Sequence, residues 1–279
     1  MLQTDVEVVQ ATFNISSQAQ KTLRVLLVNP PSPDGAVYIR DTNRSGRRSA
    51  EGTIWPQTSL ALIAAVLAEA GCAVKIEDCI AERTSYLTLY QRMQDWKPTH
   101  VIIESVSSTI PHDMVVAHYA KYLKATTILI SPHGEALEAE TRARFPAVDH
   151  VVHYEKHEEP EYAIRELITG QSRLDGEEFS NLPAARQDLL PMSKYDLPLI
   201  GRGYTFVLTS RGCPWKCIYC RQTVTWKSRV RYRTPESIVR EIQRYQLTNI
   251  AFHADTATVN KQQMLAICTG IAALPWPVR

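Results

Sequence analysis

No stretch of this 279-residue chain is apolar for long enough to cross a bilayer as a helix, which takes about 20 residues. Charge of one sign is not in excess either. There are 31 Lys and Arg against 29 Asp and Glu, so bulk electrostatics argue for neither a nucleic-acid nor a membrane partner. The first twenty residues have neither the basic start nor the apolar run of a secretory signal, and a cytoplasmic location is the expectation. Cysteine is scarce, with six in all and no regular spacing that would mark a disulfide framework. A second cysteine pair, which a structural zinc site normally needs, is also missing.

What cysteine there is lies concentrated. Cys213-Pro-Trp-Lys-Cys217-Ile-Tyr-Cys220 has the spacing C-x3-C-x2-C, so three thiolates can converge on one metal centre. Soft sulfur ligands select iron–sulfur clusters or zinc. Three thiolates on a [4Fe–4S] cubane leave one iron open to a small molecule, which is a catalytic arrangement. A zinc protein of the same fold is the weaker alternative. Cys72, Cys79 and Cys268 stand apart and read as ordinary buried thiols.

The length implies two domains, and a hydrophobic fraction of 44% supplies apolar side chains for their cores. Residues 1–21 are polar and unpatterned and read as a flexible leader. Short apolar runs then alternate with helical stretches. Strands are expected at Arg24–Val28, Val74–Asp78, His100–Glu104, Thr127–Ile130 and Val148–Tyr154, with helices at 60–70, 84–96, 112–124, 135–144 and 160–169. This alternation implies an α/β, doubly wound parallel sheet. Ligands bind such sheets at the carboxyl ends of the strands, which draws attention to the loops Asn29-Pro30-Pro31-Ser32, Ser105-Val106-Ser107-Ser108 and Ser131-Pro132-His133-Gly134.

Farther along, Thr205–Thr209 reads as a strand leading into the cysteines, followed by a helix at Pro235–Tyr245 with Thr234 as N-cap. A strand at Asn249–His253 and a helix at Lys261–Ile271 come next, and Pro275–Arg279 has the look of a third strand beginning. Asp255 falls between strand and helix, where N-capping is the simplest role. Arg229, Arg231 and Arg233 alternate along an extended segment, placing three guanidinium groups on one face. A solvated face, or a positively charged approach to the helix that follows, is the expectation there, ahead of a nucleic-acid patch.

The cysteine run, with Tyr219 just before its last member, resembles the signature of the radical S-adenosylmethionine (radical SAM) superfamily. Leu182-Pro-Ala-Ala-Arg186 and Leu189-Leu-Pro-Met-Ser-Lys-Tyr195 resemble the proline-marked linker that joins a cobalamin-binding domain to such a core. Asn29-Pro30-Pro31, Trp55–Ala64 and Pro132-His133-Gly134 are similar to the cobalamin domain itself, and Glu159-Pro-Glu-Tyr162 to its final motif. The branch resembled is the cobalamin-dependent one, which includes methylases and the anaerobic porphyrin-ring cyclase. Ser131 and Glu158 stand where glycine is more usual. The pattern Asp-x-His-x-x-Gly, which marks cobalt ligation by histidine, is missing, so a histidine ligand below cobalt is not expected.

The resemblance implies a Rossmann-like cobalamin-binding domain at 22–175, a linker at 176–203 and the first part of a β/α barrel at 204–279. Cys213, Cys217 and Cys220 would hold the [4Fe–4S] cluster, Tyr219 would lie against the adenine of S-adenosylmethionine, and Asp255 near its amino group. Asn29, Pro30, Ser105, Ser107, Pro132, His133 and Gly134 would line the cobalamin site, with His133 near the cofactor tail. The implied chemistry is a 5′-deoxyadenosyl radical used to methylate an unactivated carbon. Oxidative ring cyclisation of a tetrapyrrole-like substrate is the alternative, and a non-catalytic cobalamin module or split-enzyme subunit is the rival from another class. Flavodoxin or ferredoxin would supply the electron. A complete core has six strand–helix units, and the residues after Cys220 suffice for two, so a barrel cut short or completed by a second chain is expected.

Overall fold

The computed structural model describes residues 22–40, 46–131, 135–154, 156–157 and 159–279. The leader at 1–21, Pro132-His133-Gly134 and Glu158 therefore lie outside the described residues. Five strands form one all-parallel sheet: β1 (Arg24–Asn29), β2 (Ala73–Asp78), β3 (His100–Glu104), β4 (Thr126–Ile130) and β5 (His150–Val152), in the order β2-β1-β3-β4-β5. The order reverses between β1 and β3, which makes that the switch point. β5 is shorter than the Val148–Tyr154 expected, because Val148 packs in the loop before it, where its N–H bonds to the Phe145 carbonyl.

The alternation of side chains along each strand divides the core in two. Val25, Leu27, Ile102 and Ile128 face one side, with α1 (Thr58–Glu69) and a helix at Pro160–Thr169. Leu26, Val28, Val101, Ile103 and Leu129 face the other, with helices at Tyr86–Trp96 (α2) and Ile110–Tyr122 (α3). The helix at 135–144 opens as a single 3-10 turn, Glu135–Leu137, before α4 (Glu138–Arg144); Pro160–Thr169 is α5. α1 is apolar all round, and every residue from Thr58 to Leu67 is buried. A helix of that composition needs cover on both sides. It lies between the sheet and the second half of the chain, whose Phe179, Leu182, Leu190, Tyr195, Tyr204 and Leu208 join the same apolar cluster. Each buried Leu or Ile in α1 contributes about 1.5–3 kcal/mol.

In the second half, β6 (Thr205–Leu208) runs on through Thr209 into β7 (Ser210–Arg211), then the cysteine loop and α6 (Gln222–Trp226). β8 (Arg231–Tyr232) pairs antiparallel with β7, and α7 (Pro235–Tyr245) crosses back to β9 (Ile250–His253), which lies parallel to β6. Thr234 caps α7 by accepting the Ser237 N–H, with proline at the first turn. α8 (Lys261–Ala272) starts at Asn260, whose side chain accepts from Gln263 N–H. Arg279 makes the two hydrogen bonds of a parallel bridge across Asn249, to Thr248 O at 2.7 Å and from Ile250 N–H at 2.9 Å. An apolar groove of about 650 Å³ lies beside it, lined by Ile250, Phe252, Ile271, Trp276 and Cys268. Cys268 is exposed, not buried as its neighbours in sequence led one to expect. Among the described residues no helix is long and apolar enough to cross a membrane.

Candidate functional site

Two carboxyl edges matter, that of the five-stranded sheet and that of the β6–β9 pair. At the first, the switch point is filled by a side chain of the protein itself. Arg40 is 1% exposed. Its Nη2 donates to Asp113 Oδ1 at 2.7 Å, its Nε to Asp113 Oδ2 and Thr109 Oγ1 at 3.2 Å, and its Nη1 to Asn29 Oδ1 at 3.0 Å and to the Pro30 carbonyl at 2.8 Å. Asp113 also accepts from Ser105 Oγ at 2.7 Å and Thr109 Oγ1 at 2.6 Å. Burial raises the Asp113 pKa, against the pull of Arg40, Thr109 and Ser105.

The network continues sideways. Asn29 Nδ2 donates to Asp78 Oδ1 at 2.7 Å, and Tyr195, from the segment between α5 and β6, donates to Asp78 Oδ2 at 2.7 Å. Burial pushes the Asp78 pKa up although these donors oppose it, and burial beside Asp78 pushes Tyr195 well above the usual phenol range. Asn29, Pro30 and Ser105 are thus buried and held within this network, whereas Ser107 is exposed on the loop after β3. A cleft of about 500 Å³ opens next to them, lined by Ser32, Val37, Cys79, Ile80 and Arg83. No spacing in the sequence marks Arg40 or Asp78 as a network residue, because their partners Asp113 and Tyr195 lie 73 and 117 residues away.

At the second edge, Cys213, Cys217 and Cys220 follow β7 on one loop. Cys217 is exposed and the other two half-buried, while Ile218 and Tyr219 project fully into solvent. Gly212 opens the loop at φ +97°, and a Cβ there would sit 1.9 Å from the Arg229 carbonyl oxygen, so only glycine fits. Its N–H donates to Asp255 Oδ2 at 2.7 Å, and Thr256 Oγ1 donates to Cys213 Sγ at 3.2 Å. The N-cap role expected of Asp255 is therefore incorrect: Asn260 caps the following helix, and Asp255 clamps the cysteine loop to the end of β9. Among the described residues no three His, Cys, Asp or Glu side chains are gathered tightly enough to hold a metal ion. The donor set itself, three thiols on one accessible loop with a backbone anchor at its root, suits an iron–sulfur cluster.

Ion pairs join the two edges. Glu161, in the first turn of α5, binds Arg211 Nη1 at 3.0 Å and also its Nη2, and Arg211 is caged by the rings of Phe179, Trp226 and Tyr154 at 5.3, 5.7 and 5.9 Å. Glu159 binds Arg231 at 2.7 Å and Arg173 at 2.8 Å. The expected solvated arginine face is not there. Only Arg229 is exposed; Arg231 is largely covered by Phe179 and Trp226, and Arg233 is buried on Glu241 at 2.7 Å. Glu159, Phe179 and Trp226 cover Arg231, and Glu241 of α7 takes Arg233, which is why the alternation did not mean exposure.

No family model matches the chain. It is 26% identical, over 277 residues covering 88% of its length, to an uncharacterized methyltransferase of Pyrococcus horikoshii, and 21% identical over 272 residues to the anaerobic magnesium-protoporphyrin IX monomethyl ester cyclase of Cereibacter sphaeroides. The chain spans about half the length of these relatives, 56% and 44% respectively. In fold it is similar to TsrM of Kitasatospora setae, a radical S-adenosylmethionine methyltransferase, at a TM-score of 0.57 and 14% identity, covering 90% of this chain and 51% of TsrM. TsrM has been solved with tryptophan and an S-adenosylmethionine analogue, and with cobalamin and a [4Fe-4S] cluster.

Proposed function

We propose that the chain is the cobalamin- and S-adenosylmethionine-binding part of a radical methylase. The observation that carries this reading is the abutment of two ligand edges. The start of α5, at the carboxyl edge of the five-stranded sheet, is ion-paired through Glu161 and Glu159 to Arg211 and Arg231, which flank the cysteine loop. Cys213, Cys217 and Cys220 would hold the cluster, and Asp255 and Tyr219 would meet S-adenosylmethionine. Ser107, Pro132, His133 and Gly134 would meet cobalamin, while Asn29, Pro30 and Ser105 are taken up in the buried network of the switch point.

When bound, these groups supply an electron that splits S-adenosylmethionine and a methyl group for transfer, given a low-potential donor such as flavodoxin or ferredoxin. The chain's own residues anchor and orient. Gly212 admits the loop to its tight seat, Asp255 fixes its root, and the caged Arg211 holds the two edges in register. Similarity to a porphyrin-ring cyclase keeps oxidative cyclisation as the second reading.

The test is anaerobic purification with iron–sulfide reconstitution, then iron counting and a visible spectrum with added hydroxocobalamin. About four irons per chain and a corrin spectrum retained through desalting are expected. Corrin retention without iron would reduce the chain to a binding module, and retention of neither would refute the proposal.

A further inference from the structure

Two consecutive residues after β9 grip two consecutive residues at the root of the cysteine loop. Asp255 takes the backbone N–H of Gly212 at 2.7 Å, and Thr256 addresses the sulfur of Cys213 itself at 3.2 Å. The first contact is mechanical. The second is electronic, because the acceptor is the atom that would bind metal. Thr256 is half-buried, and it belongs to a different strand end from the cysteines, 43 residues away in sequence. Its hydroxyl therefore reaches the thiol through the β6–β9 pairing and not as a local turn within the loop.

We infer that Thr256 is a positioning residue whose hydroxyl, donating to the Cys213 sulfur, raises the reduction potential of the metal centre held there. A hydroxyl hydrogen bond draws charge from a thiolate and weakens its donation to iron, which favours the reduced state. Hydrogen bonds to ligating sulfurs are among the main settings of iron–sulfur potentials. Thr256 also fixes which of the three thiols differs from the others, since Cys213 alone sits at the anchored root of the loop beside Gly212. The inference rests on the reading of Cys213 as a cluster ligand.

The test compares Thr256→Val, which keeps the shape and removes the donor, with Thr256→Ser, which keeps the donor. Each variant and the parent are reconstituted anaerobically, their iron is counted, and the potential is measured by redox titration followed by electron paramagnetic resonance. The expected result is parental iron content in both variants, a shift to more negative potential in Thr256→Val and a potential near the parental one in Thr256→Ser. Full iron content with an unshifted Thr256→Val overturns this inference alone. Iron loss in Thr256→Val but not Thr256→Ser also overturns it, by making the hydroxyl a requirement for assembly instead of a tuning contact. Failure of the parent to take up iron overturns the cluster reading and this inference together.

Discussion

Arg40 and Asp113 lie wholly out of solvent, whereas Ile218 and Tyr219 stand out in it. Each pair belongs to a carboxyl edge where ligands of α/β proteins gather, yet the two edges are built on opposite terms. At the five-stranded sheet the polar groups are saturated by one another, from Tyr195 through Asp78, Asn29 and Arg40 to Asp113 and Ser105. Such a network contributes little net stability but enforces one arrangement, because any half-satisfied alternative strands a buried charge. At the cysteine loop the apolar side chains are exposed and order comes from a few contacts at the root, Asp255 with Gly212 and Thr256 with Cys213. A segment with few buried contacts opens at low free-energy cost. One edge is sealed throughout by folding; the other is held only at its root.

The sharpest way to break this contrast is Arg40→Ala. It leaves Asp113 as a buried carboxylate without its cation and should cost about 3–5 kcal/mol of unfolding free energy, read by urea denaturation. A loss below about 1 kcal/mol would mean that water reaches the switch point and that the edge is not sealed. Gly212→Ala comes next. It forces a side chain onto the Arg229 carbonyl at a left-handed φ and should cost about 1–3 kcal/mol, together with a fall in reconstituted iron. Retention of both stability and iron would show that the loop root is free to shift.

Much of the first edge's scaffold was legible in the sequence, and its contents were not. His100–Glu104 was read to the residue, and Arg24–Val28, Val74–Asp78 and Thr127–Ile130 to within one residue at one end. Strands buried on both faces in a parallel sheet write themselves as continuous apolar runs. Arg40 lies outside any run, and its partner Asp113 is 73 residues away, so no spacing announces the pair. Arg231 and Arg233 misled for the same reason: alternation tells which side chains share a face but not what will cover it. Conversely, the cysteine triplet stands out in the sequence because its spacing is local, while the clamp of Asp255 on Gly212 depends on β6 and β9 lying side by side.

A smaller effect sharpens the comparison through pH. Burial raises the Asp78 pKa in the folded state above its unfolded value of about 4. The folded state therefore binds this proton more tightly, and the stability so gained is present at low pH and lost as pH rises through the folded value. Asp78→Asn removes that dependence. Its stability relative to the parent should accordingly rise between about pH 4.5 and pH 7, followed by urea midpoints at each pH. A relative fall would mean that Asn29 and Tyr195 hold Asp78 ionised against its burial.

The smallest effect on stability belongs to the other edge and is the most diagnostic. Cys217 is exposed, so Cys217→Ser removes no packing, and the metal-free protein should unfold within about 0.5 kcal/mol of the parent. Iron uptake should nevertheless collapse, because a hydroxyl is a poor substitute for a soft thiolate on iron. Unfolding and iron content measured on one preparation then separate the two kinds of edge. A residue of the sealed network changes the fold before it changes any ligand, and an exposed residue of the open loop beyond its root changes the ligand alone. If Cys217→Ser destabilised the metal-free chain as strongly as Arg40→Ala, the loop would be part of the folded core, and the division between the two edges would fail.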